Sequence, residues 1–585
     1  MKNTLLLLLC LSICLKMEAQ SFSEKYDLEF RKFNNCSWGW PGKFGKFTSL
    51  SIDSTIQVNG KYPLKLSSSL KKYKSVKSDM YTTFSLMQIV VLPSYKKEAN
   101  CIVSLRARMN ISGNAFLVVR GFDQREQVLF EDSVSLNNGE WSENVLSFKL
   151  SSEKAIEINI NYYGNDQLEQ DIWLDKISIK IAGKDIGKKS VFAIDKQIAE
   201  EVNESFKEEY IIPLSENDET LFSVFSGQDV EKQIVALGEC THGSYTIKQS
   251  IYSLIKSLIE KSNVRLVLFE LPSDMLLKYD LYAQGFTSED YINKIEQDAR
   301  CFFHDYTLIV ELLIWIRTYN QTHDHKVHFG GFDEMPISQF ALHQYYSVLI
   351  NKDAASSYLE LIKGKKFDEL LKQTRSDVHL KEKLGIESFE YLLFMLQKNI
   401  PREDSVIFDH DKKTRDFNMA DRVKNTMRIF LKDGEKVLLH AHSGHLAKKT
   451  IIGNGWFPMG YFLNDWYKEK YFVVSFQVVE GVYTDNECDQ TSDYSMVCPL
   501  PKPLPQSFES VSTKFGMDYF YYPSARIGRG IVLLNQMGRN SCNRRKEVFI
   551  CLKEHFDGYV LIKESEPLKN VEDNPVSYMM RYVKQ

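Results

Sequence analysis

Two short motifs hold the residues best suited to chemistry. In Gly238-Glu-Cys-Thr-His-Gly243, Glu239 stands three residues before His242; in His442-Ser-Gly-His445, two imidazoles stand at i and i+3. The chain has only 12 His, and His440, His442 and His445 fall within six residues. An imidazole changes charge near neutral pH, so it serves as a general base or acid. Other chemistries lack their signatures. There is no GxSxG elbow, no HExxH and no Walker A motif. Gly528-Arg-Gly530 lacks the third glycine of a dinucleotide loop. Cys240 lies inside the first motif, but its sequence neighbours do not mark it as a thiolate. Water activated by His is the simplest nucleophile.

Strands must position these groups. Ile234-Val-Ala-Leu-Gly runs into Glu239, Val264-Arg-Leu-Val-Leu-Phe into Glu270, Val327-His-Phe-Gly-Gly-Phe into Asp333, and Lys436-Val-Leu-Leu-His-Ala into His442. From about residue 190 such runs alternate with helical patterns, which predicts an α/β domain with a mostly parallel sheet. Ligands bind such sheets beyond the carboxyl ends of the strands, so these four endings predict one shared rim. Ser244 is placed to cap the next helix, and Ile247, Ile251, Leu254, Ile255, Leu258 and Ile259 follow one helical face. That helix N-terminus favours negative charge at the rim. His440 shares strand parity with His442 and is expected beneath it, deeper in the sheet. His323, His325 and His328 precede a strand and read as a loop cluster at the opposite end. His304 and Asp305 stay unassigned.

The segment at about 340–432 reads as a mostly helical insertion or cap, as in Phe389-Glu-Tyr-Leu-Leu-Phe-Met-Leu. Residues 22–182 read as a β-sandwich. Val103, Leu105, Ala107 and Met109 alternate with polar residues, as do Ile156, Ile158, Ile160 and Ile177, Ile179, Ile181. Residues 183–190 read as the linker to a second domain over 190–585. The run Asp171-Ile-Trp-Leu-Asp-Lys-Ile-Ser-Ile resembles the last strand of jelly-roll carbohydrate-binding modules, and that resemblance implies a glycan at the N-terminal domain. Trp38 and Trp40 would stack on sugar rings or serve as packing. The expected fold class is therefore multidomain: an N-terminal β-sandwich followed by an α/β domain with a helical insertion.

The 585 residues are 43% hydrophobic and 26% charged, with 73 Lys+Arg against 77 Asp+Glu. That is globular composition without the basic field that nucleic acid or an acidic membrane requires. The start MKNTLLLLLCLSICLKMEAQ has a positive n-region, a short apolar stretch and a small residue at position 19, so residues 1–19 read as a signal peptide. No later stretch is long and apolar enough to span a bilayer. The mature chain is expected to be secreted or periplasmic. Export permits local disulfides. Cys488/Cys498, Cys542/Cys551 and Cys36/Cys101 are the candidate pairs, leaving Cys240 and Cys301 as thiols.

The motifs together resemble the erythromycin esterase family. Gly238-Glu-Cys-Thr-His-Gly243 looks like its GEATHG motif, with Glu270 following His242 by the family's 28 residues. Leu313-Ile-Trp-Ile-Arg-Thr-Tyr-Asn320 with Gly331-Phe-Asp333, Arg415-Asp-Phe-Asn-Met-Ala420, Ala441-His-Ser-Gly-His445 and Met459-Gly-Tyr-Phe-Leu463 follow in family order across roughly 200–570. The resemblance implies a metal-independent hydrolase cleaving an ester, in the best-known members the macrolactone of macrolides. It makes His242 the base on water, with Glu239 and Glu270 orienting it, and gives His442 and His445 the polarisation of the carbonyl or the oxyanion. Asp333, Arg415 and Lys248 would bind substrate. The sequence departs from the family where an Arg often stands nine residues after the motif His. Here that residue is Ile251, and Lys248, one turn earlier on nearly the same side, either supplies the missing positive charge or, the favoured reading, is only solvated. Ser443 replaces the usual Asn.

Two other classes compete. A metal-dependent hydrolase would use Glu239, His242, Glu270, His442 and His445 as ligands to Zn or Mn. A glycan-binding protein would carry an inactive α/β domain.

Overall fold

The computed structural model describes residues 21–31, 42–44, 48–68, 84–95, 98–110, 114–123, 127–137, 139–163, 170–189, 206–215, 218–226, 232–302, 305–333, 338–350, 352–399, 413–450, 457–486, 495–503, 507–528, 531–535 and 547–568. The signal-peptide reading of 1–19, Trp38, Trp40, His304, Cys36, Cys488 and Cys542 lie outside them. The chain divides into two compact units, one from the N-terminus to Ser205 and the other over most of the remainder.

Alternating apolar residues build the first unit. One sheet runs in the order Gly42–Phe44, Phe84–Val91, Ala155–Tyr163, Asn114–Phe122, Val128–Ser135. The other runs Thr48–Ile52, Leu64–Ser68, Gln170–Ile181, Ala99–Met109, Gly139–Leu150. Adjacent strands are antiparallel. Val103, Leu105 and Ala107 from one sheet and Leu86, Val90 and Ile158 from the other share one buried core, which makes the unit a sandwich. The proposed linker is corrected here. Ala182 and Gly183 both have positive φ and close a tight hairpin that pairs Lys184–Asp185 with Gln170–Ile181. Ile186 then enters the core, so residues 183–189 belong to the sandwich. Trp173 is buried, and its Nε1 donates to Asp53 Oδ2 at 2.8 Å. Cys101 and Cys551 are thiols, against the pairings Cys36/Cys101 and Cys542/Cys551. Cys240 is a thiol, as expected, and Cys498 is disulfide-bonded.

The second unit is organised by a sheet in which Tyr471–Asn486, Ile234–Glu239, Lys436–His442, Val264–Pro272 and His328–Asp333 lie side by side and parallel. Gly558–Ser565 extends it in parallel, and Tyr519–Pro523 and Ile212–Pro213 complete an antiparallel edge. The runs at 234–238 and 437–441 are buried throughout, as a strand covered on both faces requires. Register places Glu239 beside His442 and Phe269 beside His440. The four strands whose endings carry chemistry are thus neighbours, and their carboxyl ends form one rim. Among the described residues, six helices between Gln339 and Phe430 make up the helical segment. No helix among the described residues is long and apolar enough to cross a membrane.

Two motif glycines mark places where backbones meet. A Cβ on Gly238 would fall 2.9 Å from Ser443 Cα, and one on Gly243 would fall 1.7 Å from the Thr484 carbonyl oxygen. Gly243 also accepts from Thr484 N and Leu568 N. Gly243→Ala must therefore push two backbones apart, and it is expected to cost about 3 kcal/mol. A thermal melt would show a lowered midpoint, whereas an unchanged midpoint would mean that this contact is not tight.

Candidate active site

Glu239 is the last residue of its strand and is buried. Its Oε1 lies 2.8 Å from His242 Nδ1. An ionised carboxylate only accepts, so Nδ1 carries the proton, and in the neutral ring the lone pair is on Nε2. Nε2 makes no hydrogen bond among the described residues, and the His242 side chain is 35% exposed at the rim. Burial alone would raise the Glu239 carboxyl, but the cation of Lys248 and the neighbouring His440 and His242 outweigh it and hold Glu239 well below the usual range. Lys248, expected to be solvated, is buried instead. Its Nζ lies 3.0 Å from Glu239 and 3.2 Å from Asp305 Oδ2. Ile251 packs in the core.

His442 differs from His242. Its Nε2 lies 3.2 Å from the Cys240 carbonyl, and its Nδ1 accepts from Gly444 N at 3.2 Å. The carbonyl can only accept and the amide can only donate, so both nitrogens are committed and the ring is neutral. Burial first, and the nearby His242, push its pKa down to about 3. The rings of His242 and His442 are 5.2 Å apart. His442 N also donates to Glu270 Oε2 at 2.9 Å.

His445 is the opposite case. Nδ1 lies 2.8 Å from Asp416 Oδ1 and Nε2 lies 3.1 Å from Glu270 Oε1. Two carboxylates, one on each nitrogen, require both to carry protons. Burial works against the charge, but Glu270 and Asp416 outweigh it and raise the pKa to about 10. Burial would likewise raise Glu270, but His445 and the His442 amide hold it well below its usual value. Arg415 Nη2 lies 2.8 Å from Asp333 Oδ1 and 3.5 Å from Glu270 Oε1, and its side chain is 46% exposed. Carboxylates and cations are thus interleaved along the rim, with His445 between Asp416 and Glu270 and Arg415 between Glu270 and Asp333, and Arg415 Nη1 also lies 3.3 Å from His445 Nε2.

The predicted residues Glu239, His242, Glu270, Asp333, Arg415, His442 and His445 all meet at this rim. His440 is buried beneath, with Nδ1 at 3.1 Å from the Leu237 carbonyl and Nε2 at 3.6 Å from Glu239. His323 stacks on Tyr319, His325 faces Glu435, and His328 pairs with Asp280 at the amino end of its strand, so this cluster stays apart from the site. Asp416 was missed as a site residue. It is buried, holds His445 and accepts from Met459 N at 2.8 Å, and its position inside the Arg415–Ala420 motif was the available signal. Asp305 carried no signal.

For a metal, His442 and His445 are poor donors as they stand. His445 is doubly protonated, and both His442 nitrogens are committed. Among the described residues no group of three or more His, Cys, Asp or Glu side chains is arranged to hold a metal ion.

Residues 397–565 match the family model described as erythromycin esterase. The matched segment contains Arg415, Asp416, His442 and His445, while Glu239, His242 and Glu270 precede it. No curated protein matches the chain. Among solved structures, a Bacillus cereus protein is 18% identical, covering 64% of this chain and 98% of its own, with a TM-score of 0.48. A mutant erythromycin esterase, EreC, in its open conformation is 17% identical over 62% of this chain and 97% of its own, with a TM-score of 0.42. A carbohydrate-binding module in complex with β-1,4-galactotriose is 15% identical over 27% of this chain and 97% of its own, with a TM-score of 0.18.

Proposed function

We propose that this chain is an exported hydrolase that cleaves an ester by direct attack of water, with His242 as the base and no covalent intermediate. One observation carries the reading. Among the rim imidazoles, only His242 combines a carboxylate on Nδ1 with an open, exposed Nε2. In the reaction, His242 Nε2 takes a proton from water as the oxygen attacks the ester carbonyl carbon. The carbonyl oxygen gains the negative charge. Arg415, half exposed and with an Nη1 that neither Asp333 nor Glu270 holds and that lies 3.3 Å from His445 Nε2, is the donor that meets it. Collapse breaks the bond to the alkoxy oxygen, and the imidazolium returns its proton to that leaving group. Acid and alcohol result.

The geometry also redistributes the expected roles. His442 and His445 have their N–H groups committed, so they build the rim rather than donate to the oxyanion. Glu270, fixed by His445 and the His442 amide, organises both halves. The step needs no metal; a chelator that removed all activity, restored by one metal, would sink it. The substrate is a small-molecule ester, with macrolactones the first class to test. A glycan at the sandwich and a secreted or periplasmic location complete the proposal, the first resting on the strand at Gln170–Ile181 and the second on the N-terminal sequence.

The purified chain is to be screened against macrolides and simple aryl esters, and a turned-over substrate hydrolysed in 18O-water. One 18O is expected in the acid after a single turnover, with no burst of alcohol release. A burst, or an acylated residue trapped by mass spectrometry, would replace water with a protein nucleophile.

A further inference from the structure

Behind the Glu239–His242 pair lies a buried run of polar groups that the reaction above does not use. Lys248 and Tyr252 stand at i and i+4 on helix Tyr245–Lys261 and so share one face, with Ser244 at the N-cap before them. Ser244 caps the helix. Lys248 Nζ lies between Glu239 and Asp305, at 3.0 and 3.2 Å, and the Tyr252 hydroxyl donates to Asp305 Oδ2 at 2.8 Å. All four side chains are buried or nearly so. Asp305 supplies an independent sign. It occupies the N-cap position of helix Tyr306–Thr322, where Asp ordinarily accepts from the helix backbone, yet its side chain makes no capping bond. The carboxylate is turned to Lys248 and Tyr252 instead. A buried ammonium shared by two carboxylates is costly to assemble unless its geometry is fixed, and here one end of the run fixes the acceptor on the base.

We propose that Lys248, Asp305 and Tyr252 form a buried positioning chain that holds Glu239 against His242 Nδ1. The inference rests on the reading of His242 as the base. Tyr252 orients Asp305, Asp305 fixes Lys248, and Lys248 keeps Glu239 charged and turned toward His242. The base is thereby held in the tautomer with its Nε2 lone pair at the rim. Lys248 is a positioning residue and touches no reacting atom. The groups facing Glu239 are His242 from the turn, Lys248 from the helix and His440 from the adjacent strand, with Asp305 behind Lys248. Of these, Lys248 is the fixed cation. Without it, a buried Glu239 takes up a proton at higher pH and stops accepting from Nδ1.

The test is hydrolysis of p-nitrophenyl acetate by the full chain, with thermal melts alongside. Lys248→Met is expected to lower kcat about 100-fold with KM changed less than about 3-fold, and Lys248→Arg to recover most of the loss. The acidic limb of the kcat/KM profile is expected to move up by about one pH unit or more in Lys248→Met. In a Glu239→Gln background, Lys248→Met is expected to cost no more than about 3-fold, because residues acting through one group are not additive. A folded Lys248→Met with wild-type kcat and pH profile overturns the proposal, as does a loss of undiminished size in the Glu239→Gln background. Where Lys248→Met does not fold, Tyr252→Phe decides. It deletes one hydroxyl, is expected to cost about 5-fold in kcat, and overturns the chain if rate and profile are unchanged. A fully active His242→Ala would remove the reading of the base itself, whereas an inactive His242→Ala beside an unaffected Lys248→Met removes the positioning chain alone.

Discussion

His242→Ala is expected to lower kcat/KM for any ester the chain hydrolyses by about 10³-fold, or about 4 kcal/mol of transition-state stabilisation. The other rim imidazoles cannot replace it. His442 has both nitrogens committed to the backbone and is held neutral down to about pH 3, and His445 is held as an imidazolium up to about pH 10. Neither has a lone pair to offer water at neutral pH. The loss should fall on kcat, since nothing in the site makes His242 a binding group. The fold should survive, because the ring is partly exposed and Glu239 keeps Lys248 as partner. His242→Gln, which keeps bulk but offers no base, should be as inactive as His242→Ala. Full activity in either variant at pH 7, with an unchanged melt, would move the base elsewhere.

The rim was legible because each contributing strand ends its apolar run on the residue that acts. Parallel pairing then brings the ends together, and register sets Glu239 beside His442 without side-chain information. What sequence could not show was which imidazole is free. His242 and His442 look alike as residues after a strand. The difference lies in the Cys240 carbonyl and the Gly444 amide, backbone groups whose directions only the folded turn fixes. Lys248 was misjudged for a related reason. On a helical wheel a lysine beside an apolar face reads as solvated, and only tertiary packing brings Glu239 and Asp305, 66 residues apart, to either side of it. At 183–189 a Gly- and Lys-rich stretch read as a linker because the two-residue hairpin at Ala182-Gly183 leaves almost no hydrophobic pattern. Ile186 is its only large apolar residue, and it enters the core.

The largest stability effect is expected at His445. It separates Glu270 from Asp416, Asp416 is buried and the His445 and Glu270 side chains are only 12% and 13% exposed, and two hydrogen bonds join them. His445→Ala leaves two carboxylates without the cation between them, and removing one partner of a buried ionic group costs about 3–5 kcal/mol. Each carboxylate keeps a backbone donor, from His442 N and Met459 N, so local collapse rather than full unfolding is expected. Activity should fall with it, because Glu270 also positions Arg415. The pH dependence follows from the direction of the shift. The folded pKa of about 10 lies above the ordinary value of 6.5, so the folded state binds this proton where the unfolded state has released it. The stabilisation is complete below about pH 6.5, shrinks above it, and is gone once pH passes about 10. Wild-type melting temperature should therefore fall across pH 6.5–10 more steeply than that of His445→Ala, and the two curves should converge at the alkaline end. Parallel curves would mean that His445 does not carry its charge in the folded chain, and with that the interleaving of charge along the rim would be lost.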